Sequence, residues 1–281
     1  MTAEEKQRLE LTIGPVAVYE RLSGVPGSGW LLIEASPLPH VTEKHMVAAD
    51  IFKNGPVRIE AGQLRHSGQC TFKGHNLPKE VSKAVSTIIE TKYIIAVYKG
   101  SSGILEGQPV AIPLRPTISY IQYPDHPHLN TGRLVSIEGE SFYLPDSLCY
   151  TNSPKELGET DYVRIFEALI QVLMWLFRHE IWLATRSIKK PGLWIGPDVE
   201  NDTPEICAGF LNPEGVCRCM SDKKYFDCHM PRDIQKLKKS VPEVVMLNDK
   251  NYAQLRWLTR IYGPQLGSIR KLSEAFNVSQ V

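Results

Sequence analysis

Short apolar runs separated by turn-forming residues occupy the first third of the chain. Runs of this kind, punctuated by Gly and Pro as at 24–27 and 55–56, are typical of β-strands. We predict six strands, at residues 9–22, 30–35, 46–52, 57–64, 93–98 and 117–123.

Helical spacing of apolar residues appears at two places. At 79–88 they recur three or four positions apart, which predicts a short helix. From 162 to 178 they cover nearly all sides, and Thr160 or Asp161 can cap the first turn. We therefore expect this second helix to be the central, buried one. Two shorter helices are predicted towards the C-terminus, at 251–262 and from Ser268 onward.

The order of these elements indicates the fold class. Strands come first, then a long irregular loop at 124–149, then helices. Strands that precede helices, rather than alternating with them, predict an α+β fold with an antiparallel sheet and flanking helices. We predict three consecutive parts: a strand-rich part at 1–78, a central part at 79–198, and a helical, cysteine-rich extension at 199–281.

Composition narrows the classes of partner. Lys and Arg number 32 and Asp and Glu 31, which argues against a bulk electrostatic grip on nucleic acid. The N-terminal residues are polar, unlike a signal peptide, and the apolar stretch 168–177 is about half of the ~20 residues that span a bilayer. The sequence also has no Gly-rich phosphate loop. We expect a cytoplasmic protein that binds neither nucleic acid nor membrane.

The cysteines are unevenly distributed, and in the cytoplasm we expect all of them to be reduced. Two stand alone, Cys70 and Cys149, and four are clustered: Cys207, Cys217, Cys219 and Cys228. Four soft ligands in a segment with little apolar content favour a structural zinc site. A redox pair at Cys217 and Cys219, or four unrelated thiols, remain alternatives. His229 directly follows the last cysteine.

Several short motifs surround the isolated Cys149. Residues 123–130 read Tyr-Pro-Asp-His-Pro-His-Leu-Asn, and 144–150 read Leu-Pro-Asp-Ser-Leu-Cys-Tyr. Further on, 178–182 read Arg-His-Glu-Ile-Trp and 194–197 read Trp-Ile-Gly-Pro. In this order the motifs resemble the active-site region of ubiquitin-conjugating enzymes, and more closely the bacterial members associated with anti-phage operons, of the CBASS type or with bacterial ubiquitin-like modifiers. The resemblance covers about 110–198.

The resemblance implies an acyl transferase with a ubiquitin-conjugating fold. Cys149 would carry the C-terminus of a modifier as a thioester and pass it to a lysine. In the family an Asn follows the His-Pro pair; here His128 occupies that position, so Asn130 is the other candidate for the role, and His126 completes the site. The implied modifier is a ubiquitin-like protein or a cGAS-like nucleotidyltransferase, loaded by a separate activating enzyme. Transfer itself needs no cofactor.

The chemistry of the residues leaves two other functions open. Cys149 could attack a peptide or isopeptide bond in a Cys/His hydrolase, with His126 or His128 as the base. The domain could also be an inactive binding module of the conjugating type. At the level of single residues, Cys149 can instead be a small buried hydrophobe and His126 a structural histidine that bonds to loop backbone.

Overall fold

The fold is known from a computed structural model of the chain. The described residues are 1–37, 91–100, 107–123, 125–151, 157–158, 160–186, 192, 194, 212–219, 221–240 and 263–279, together with the backbone of strands at 57–60, 63–66, 71–72 and 75–76. Side chains at 236–240 are outside this set.

Within these residues the chain forms short strands and four helices. The strands are β1 (Val16–Leu22), β2 (Val25–Ala35), β3 (Val57–Glu60), β4 (Gln63–His66), β5 (Thr71–Phe72), β6 (His75–Asn76), β7 (Tyr93–Tyr98), β8 (Val110–Arg115), β9 (Leu129–Asn130), β10 (Arg133–Ile137), β11 (Glu140–Leu144) and β12 (Ser147–Leu148). The helices are α1 (Ala3–Ile13), α2 (Asp161–Arg186), α3 (Met230–Ser240) and α4 (Gly263–Ala275).

The chain divides into two compact units. The first, which we call the sheet unit, comprises Met1–Pro116 and Leu148–Pro197. The second, the hairpin unit, comprises Thr117–Ser147 and Asp198–Val281. Each unit is thus built from two separate stretches of chain. The three consecutive parts predicted from the sequence are a different kind of division, along the chain, and they stay a prediction.

A four-stranded antiparallel sheet, in the order β1-β2-β7-β8, forms the centre of the sheet unit. Its core includes Trp30, Ile33, Ile95 and Ile112, all with no exposed surface. The predicted α+β class with an antiparallel sheet is confirmed, as are the strands predicted at 30–35 and 93–98. Strand β8 was not predicted, because Pro113 interrupts its apolar run. Among the described residues β8 lies at the edge of the sheet, a position where proline is tolerated.

The start of the chain is helical up to Ile13, so the strand predicted at 9–22 is wrong in its first part. The Thr2 hydroxyl accepts a hydrogen bond from the Glu5 N–H at 3.2 Å, and the Glu5 carboxylate accepts one from the Thr2 N–H at 2.6 Å. These two bonds form a capping box, which satisfies donors that a helix start leaves unpaired. Leu9 and Ile13 then bury the inner face of α1.

Helix α2 confirms the long helix predicted at 162–178, and it extends beyond the predicted end to Arg186. Thr160 is the cap: its hydroxyl accepts a hydrogen bond from the Val163 N–H at 3.2 Å. The extra turns bury His179, Ile181 and Trp182, so a polar-looking segment belongs to the core. The expectation of a buried helix is confirmed by a nearly continuous buried run from Ala168 to Phe177.

The hairpin unit contains most of the stretch that the sequence predicted to be an irregular loop at 124–149, up to Ser147. This prediction is wrong in part, because β10 and β11 pair as an antiparallel hairpin. Glu138 and Gly139 form its turn with φ of 50° and 84°, the left-handed pair that suits the twist of two strands. The strand predicted at 117–123 is also wrong: the N–H groups of Gln122 and Tyr123 both donate to the Ser119 carbonyl, which closes a turn.

Other predicted elements fall partly or wholly outside the described residues. The strand at 46–52 and the helices at 79–88 and 251–262 lie outside them. The strand predicted at 57–64 is a pair of strands, β3 and β4. The helix predicted from Ser268 begins earlier, at Gly263, since Pro264 is compatible with a first helical turn. Helix α3 was not predicted.

Among the described residues, no helix combines the length and the apolar character needed to cross a membrane.

Candidate functional site

Cys149 follows β12 directly and precedes helix α2. Its neighbours Leu148 and Tyr150 are buried, with 1% and 5% of their surface exposed, whereas Cys149 is partly exposed. The phenol of Tyr150 donates a hydrogen bond to the Pro109 carbonyl, and burial raises the pKa of this phenol. Cys149 is therefore a partly exposed residue held between two buried neighbours.

The two histidines of the His-Pro-His motif are buried in the hairpin unit. His126 and His128 have 3% and 4% of their surface exposed, and the His128 N–H donates to Nδ1 of His126 at 3.1 Å. Since Nδ1 accepts this bond, a neutral His126 carries its proton on Nε2. Asn130 is half-buried in β9. The two histidines are therefore hydrogen-bonded to each other. A catalytic role of either histidine, or of Asn130, in the chemistry of Cys149 stays a prediction.

One buried carboxylate joins both ends of the segment that carries these residues. Oδ2 of Asp146 accepts a hydrogen bond from the Tyr120 N–H at 2.9 Å, and Oδ1 accepts one from the Gly132 N–H at 2.7 Å. The Asp146 N–H in turn donates to the side chain of Gln265 in α4 at 2.9 Å. Asp146 has 3% of its surface exposed, and its hydrogen bonds hold distant segments of the hairpin unit together. The sequence did not predict this role. Nothing in an Asp that follows a proline signals partners so far away in sequence.

A second candidate site lies in the C-terminal part of the hairpin unit. Three thiols and one imidazole converge there: Cys217, Cys219, Cys228 and His229. Their ligand atoms all lie within 4.8 Å of one another, so these four residues have the ligand types and spacing to hold one metal ion. Three of them belong to the predicted ligand set; the fourth predicted member, Cys207, lies outside the described residues. His229 was noted only as a neighbour, although an imidazole is as common a zinc ligand as a thiolate.

The distances within this cluster approach those of a tetrahedral centre. With Zn–S bonds of about 2.3 Å, two sulfur ligands should lie about 3.8 Å apart. The sulfurs of Cys219 and Cys228 are 3.7 Å apart. Nδ1 of His229 lies 3.2 Å from the sulfurs of both Cys217 and Cys228, somewhat closer than the about 3.6 Å that Zn–S and Zn–N bonds together give. Shifts of a few tenths of an ångström would bring these three pairs to coordinating distance, and the widest separation in the cluster, up to 4.8 Å, would have to close by about 1 Å.

Local backbone structure explains why the four ligands meet. A short hairpin brings Val216 opposite Lys224, and the Cys217 N–H donates to the Lys223 carbonyl at 3.0 Å. The next turn ends where the Cys228 N–H donates to the Tyr225 carbonyl at 3.1 Å, immediately before α3. The hairpin thus supplies two ligands and the approach to the helix supplies the other two.

The thiols of this cluster have unequal proton affinities. Burial raises the pKa of Cys217 to about 12. Burial also acts to raise the pKa of Cys219, but hydrogen bonds with Ser221 and with the neighbouring thiols outweigh it and lower the pKa to about 6. The lowered pKa favours the thiolate of Cys219, the form that binds metal. Binding at the buried Cys217 would release a proton.

A stack of aromatic rings lies farther along α2. The imidazole of His179 lies between the rings of Trp175 and Trp182, with centroids 5.2 and 5.9 Å away and interplanar angles of 13° and 21°. Burial lowers the pKa of His179 to about 3, so this histidine is neutral at physiological pH. Its position in the core is that of a packing residue.

Comparisons with protein-family models, with curated proteins and with solved structures gave no match.

Proposed function

We propose that this chain is a ubiquitin-conjugating-like acyltransferase that carries a modifier on Cys149 and transfers it to a lysine. The observation that carries the proposal is the partial exposure of Cys149 between the buried Leu148 and Tyr150. A cysteine that only fills space lies inside the core. A thiol that exchanges acyl groups must be accessible while its backbone stays fixed, because misplacement by about 1 Å slows reaction strongly.

The order of elements supports this proposal. The antiparallel sheet of the sheet unit comes first, followed by the His-Pro-His segment, then Cys149, and finally the long helix α2. This is the order that the resemblance to ubiquitin-conjugating enzymes implies, and we propose the same fold for the region around Cys149.

Transfer proceeds through two exchanges of the acyl group. The Cys149 thiolate attacks the thioester carbonyl on an activating enzyme, whose own thiolate leaves. A lysine amine then attacks the new thioester, and the tetrahedral oxyanion collapses by expelling the Cys149 thiolate, while the amine loses a proton to water. By the resemblance, the side-chain amide of Asn130 or the imidazole N–H of His128 would stabilise that oxyanion. His126, which accepts the His128 backbone N–H, holds the segment in shape.

The partners we propose are those that the resemblance implies. The modifier is a ubiquitin-like protein or a cGAS-like nucleotidyltransferase, whose C-terminal carboxylate must be activated by a separate enzyme. By the same resemblance, we propose that the transfer serves bacterial antiviral defence in the cytoplasm.

A synthetic peptide with a C-terminal glycine thioester tests the proposal without knowledge of the modifier. Intact-mass spectrometry should detect one acyl adduct that is released by a reducing thiol. Cys149→Ala should abolish the adduct, and Cys149→Ser should give at most a thiol-resistant oxyester, because an alkoxide leaves less readily than a thiolate. Cys70→Ser, at the other isolated cysteine, is the matched control and should load normally. Loading that depends on Cys70 instead, or rapid release to water in the presence of excess amine, would contradict transfer by Cys149.

We also propose that the cluster formed by Cys217, Cys219, Cys228 and His229 binds a structural zinc ion. The 3.7 Å separation of the Cys219 and Cys228 sulfurs carries this second proposal, since a tetrahedral zinc centre requires almost that spacing. Four protein ligands leave no open position for substrate, which is the arrangement of structural rather than catalytic zinc. The ion would add to the few buried apolar side chains of this short segment, among them Tyr225, Met230 and Ile234.

A further inference from the structure

Arg218 lies between two of the metal ligands, Cys217 and Cys219, in the sequence. Its guanidinium group donates to both oxygens of the Asp233 carboxylate, from Nε to Oδ2 at 3.0 Å and from Nη2 to Oδ1 at 2.9 Å. Asp233 has no exposed surface, whereas 29% of the Arg218 side chain is exposed. Such two-pronged pairs fix direction as well as distance. The turn with the first two ligands is therefore tied to helix α3.

The same carboxylate reaches the other two ligands through Tyr225. The phenol of Tyr225 donates to Oδ2 of Asp233 at 2.8 Å, and Tyr225 has no exposed surface. The backbone of Tyr225 donates to the Gly215 carbonyl at 2.8 Å and accepts from the Cys228 N–H at 3.1 Å. The buried Tyr225 thus connects the hairpin, the turn before the helix and helix α3, through its backbone and its phenol.

We propose that Asp233 and Arg218 are positioning residues that hold the four ligands of the metal centre at coordinating distance before the ion binds. This inference rests on the proposed zinc centre. A buried carboxylate is costly unless it is fully hydrogen-bonded, and here three donors satisfy it, two of them on the residue between two ligands. Groups that orient metal ligands contribute about 10- to 100-fold to metal affinity.

Zinc affinity is the quantity that tests this role. Purified full-length chain is stripped of metal and titrated with Zn²⁺ in competition with a chromophoric chelator. Asp233→Asn keeps the shape but turns one acceptor into a donor, and we expect it to bind zinc about 10- to 100-fold more weakly. Arg218→Lys keeps the charge but loses the fork, so we expect a similar loss. The double variant should bind no more weakly than the worse single variant, since both remove the same contact.

The matched control is an ion pair on the same hairpin that touches no ligand. Lys224 donates to Glu214 at 2.9 Å, and both side chains are well exposed. Exposed pairs contribute little, so Glu214→Gln should leave zinc affinity within about twofold of the wild type. The absorption of bound Co²⁺ provides a second readout: Asp233→Asn should need more Co²⁺ to saturate and yet reach the same thiolate-ligand spectrum. A residue that merely supported the fold would lower thermal stability and leave both titrations unchanged.

The outcomes separate this inference from the proposal on which it rests. Wild-type chain that binds zinc tightly, with unchanged affinity in Asp233→Asn, would overturn the positioning role and leave the metal centre standing. Wild-type chain that binds no zinc would overturn both. If Asp233→Asn fails to fold, Tyr225→Phe, which removes only the 2.8 Å bond, decides: a severalfold loss of zinc affinity supports the role, and an unchanged affinity overturns it.

Discussion

The sulfur atoms of Cys219 and Cys228 lie 3.7 Å apart, too far for a disulfide and close to the edge of a zinc tetrahedron. All four described cysteines are thiols. These two cysteines are therefore reduced, and their ability to bind zinc can be tested directly.

We expect the protein purified without chelators to contain about one zinc ion per chain. Cys217→Ser should abolish most of this zinc and lower the thermal unfolding temperature, because metal binding contributes directly to the stability of such segments. Elemental analysis and calorimetry measure the two effects. Cys149→Ser serves as the control and should keep its zinc. A metal-free protein whose stability does not respond to added Zn²⁺ would refute the metal centre.

Substitutions at Asn130 and His128 separate loading of Cys149 from transfer. If the Asn130 amide stabilises the oxyanion, Asn130→Ala should slow aminolysis of the peptide thioester by ~10²–10³ while the loaded form accumulates. His128→Ala tests the alternative donor in the same assay. Circular dichroism confirms folding, which matters for His128 because it is buried. Failure of both variants at the loading step would mean that the segment only supports Cys149.

Loss of the Asp146 carboxylate should destabilise the hairpin unit. Asp146→Asn places an N–H₂ donor against a backbone N–H, either of Tyr120 or of Gly132, and we expect a cost of about 1–3 kcal/mol. Chemical denaturation measures this free energy, and hydrogen exchange at the two amides localises it. Asp161→Asn breaks the exposed pair with Arg164 and should cost less than about 1 kcal/mol. If the two variants lose the same free energy of unfolding, the Asp146 carboxylate does not have this stabilising role.

His179 should make the protein less stable in weak acid. Burial lowers its pKa to about 3, whereas the unfolded chain has a histidine pKa of about 6.5. Between these values only the unfolded chain takes up the proton, so the stability is complete above about pH 6.5 and falls as pH decreases towards 3. The loss is about 1.4 kcal/mol per pH unit, or about 2 kcal/mol at pH 5. His179→Phe keeps an aromatic ring in the stack but removes the titration.

Urea denaturation of both proteins at pH 7 and pH 5 measures this difference. The wild type should lose about 2 kcal/mol more than His179→Phe between the two pH values. An equal loss in both proteins would show that His179 does not control the acid response.

The sequence predicted the elements whose signal is local. Strand β7 and helix α2 have apolar patterns that hold whatever surrounds them, and both were found. The hairpin of β10 and β11 was missed because its strands are short and their apolar residues stand side by side instead of alternating with polar ones. Strand β8 was missed because Pro113 is acceptable only on a sheet edge, and edges are decided by topology.

The same distinction holds for the sites. The clustering of cysteines predicted three residues of the cluster that could hold a metal ion. The place of His229 in this cluster and the hydrogen bonds of Asp233 could not be predicted, because they depend on how a hairpin and a helix pack. For Cys149 the flanking motifs suggested chemistry, but only the structure gave the burial of Leu148 and Tyr150 that fixes its backbone.

The hydrogen bond between Asp146 and Gln265 has a consequence for synthesis, because 119 positions separate the two residues. At about 5–20 residues per second, a ribosome takes roughly 6–24 s to advance from one to the other. In that interval His126 and His128 emerge from the ribosome. Helix α4, whose Gln265 accepts the hydrogen bond from Asp146, has not yet been made. The hairpin unit therefore cannot finish folding until its C-terminal portion has been synthesised. If a ribosome stalls before Gly263, the segment that contains His126 and His128 should be accessible to proteases or chaperones.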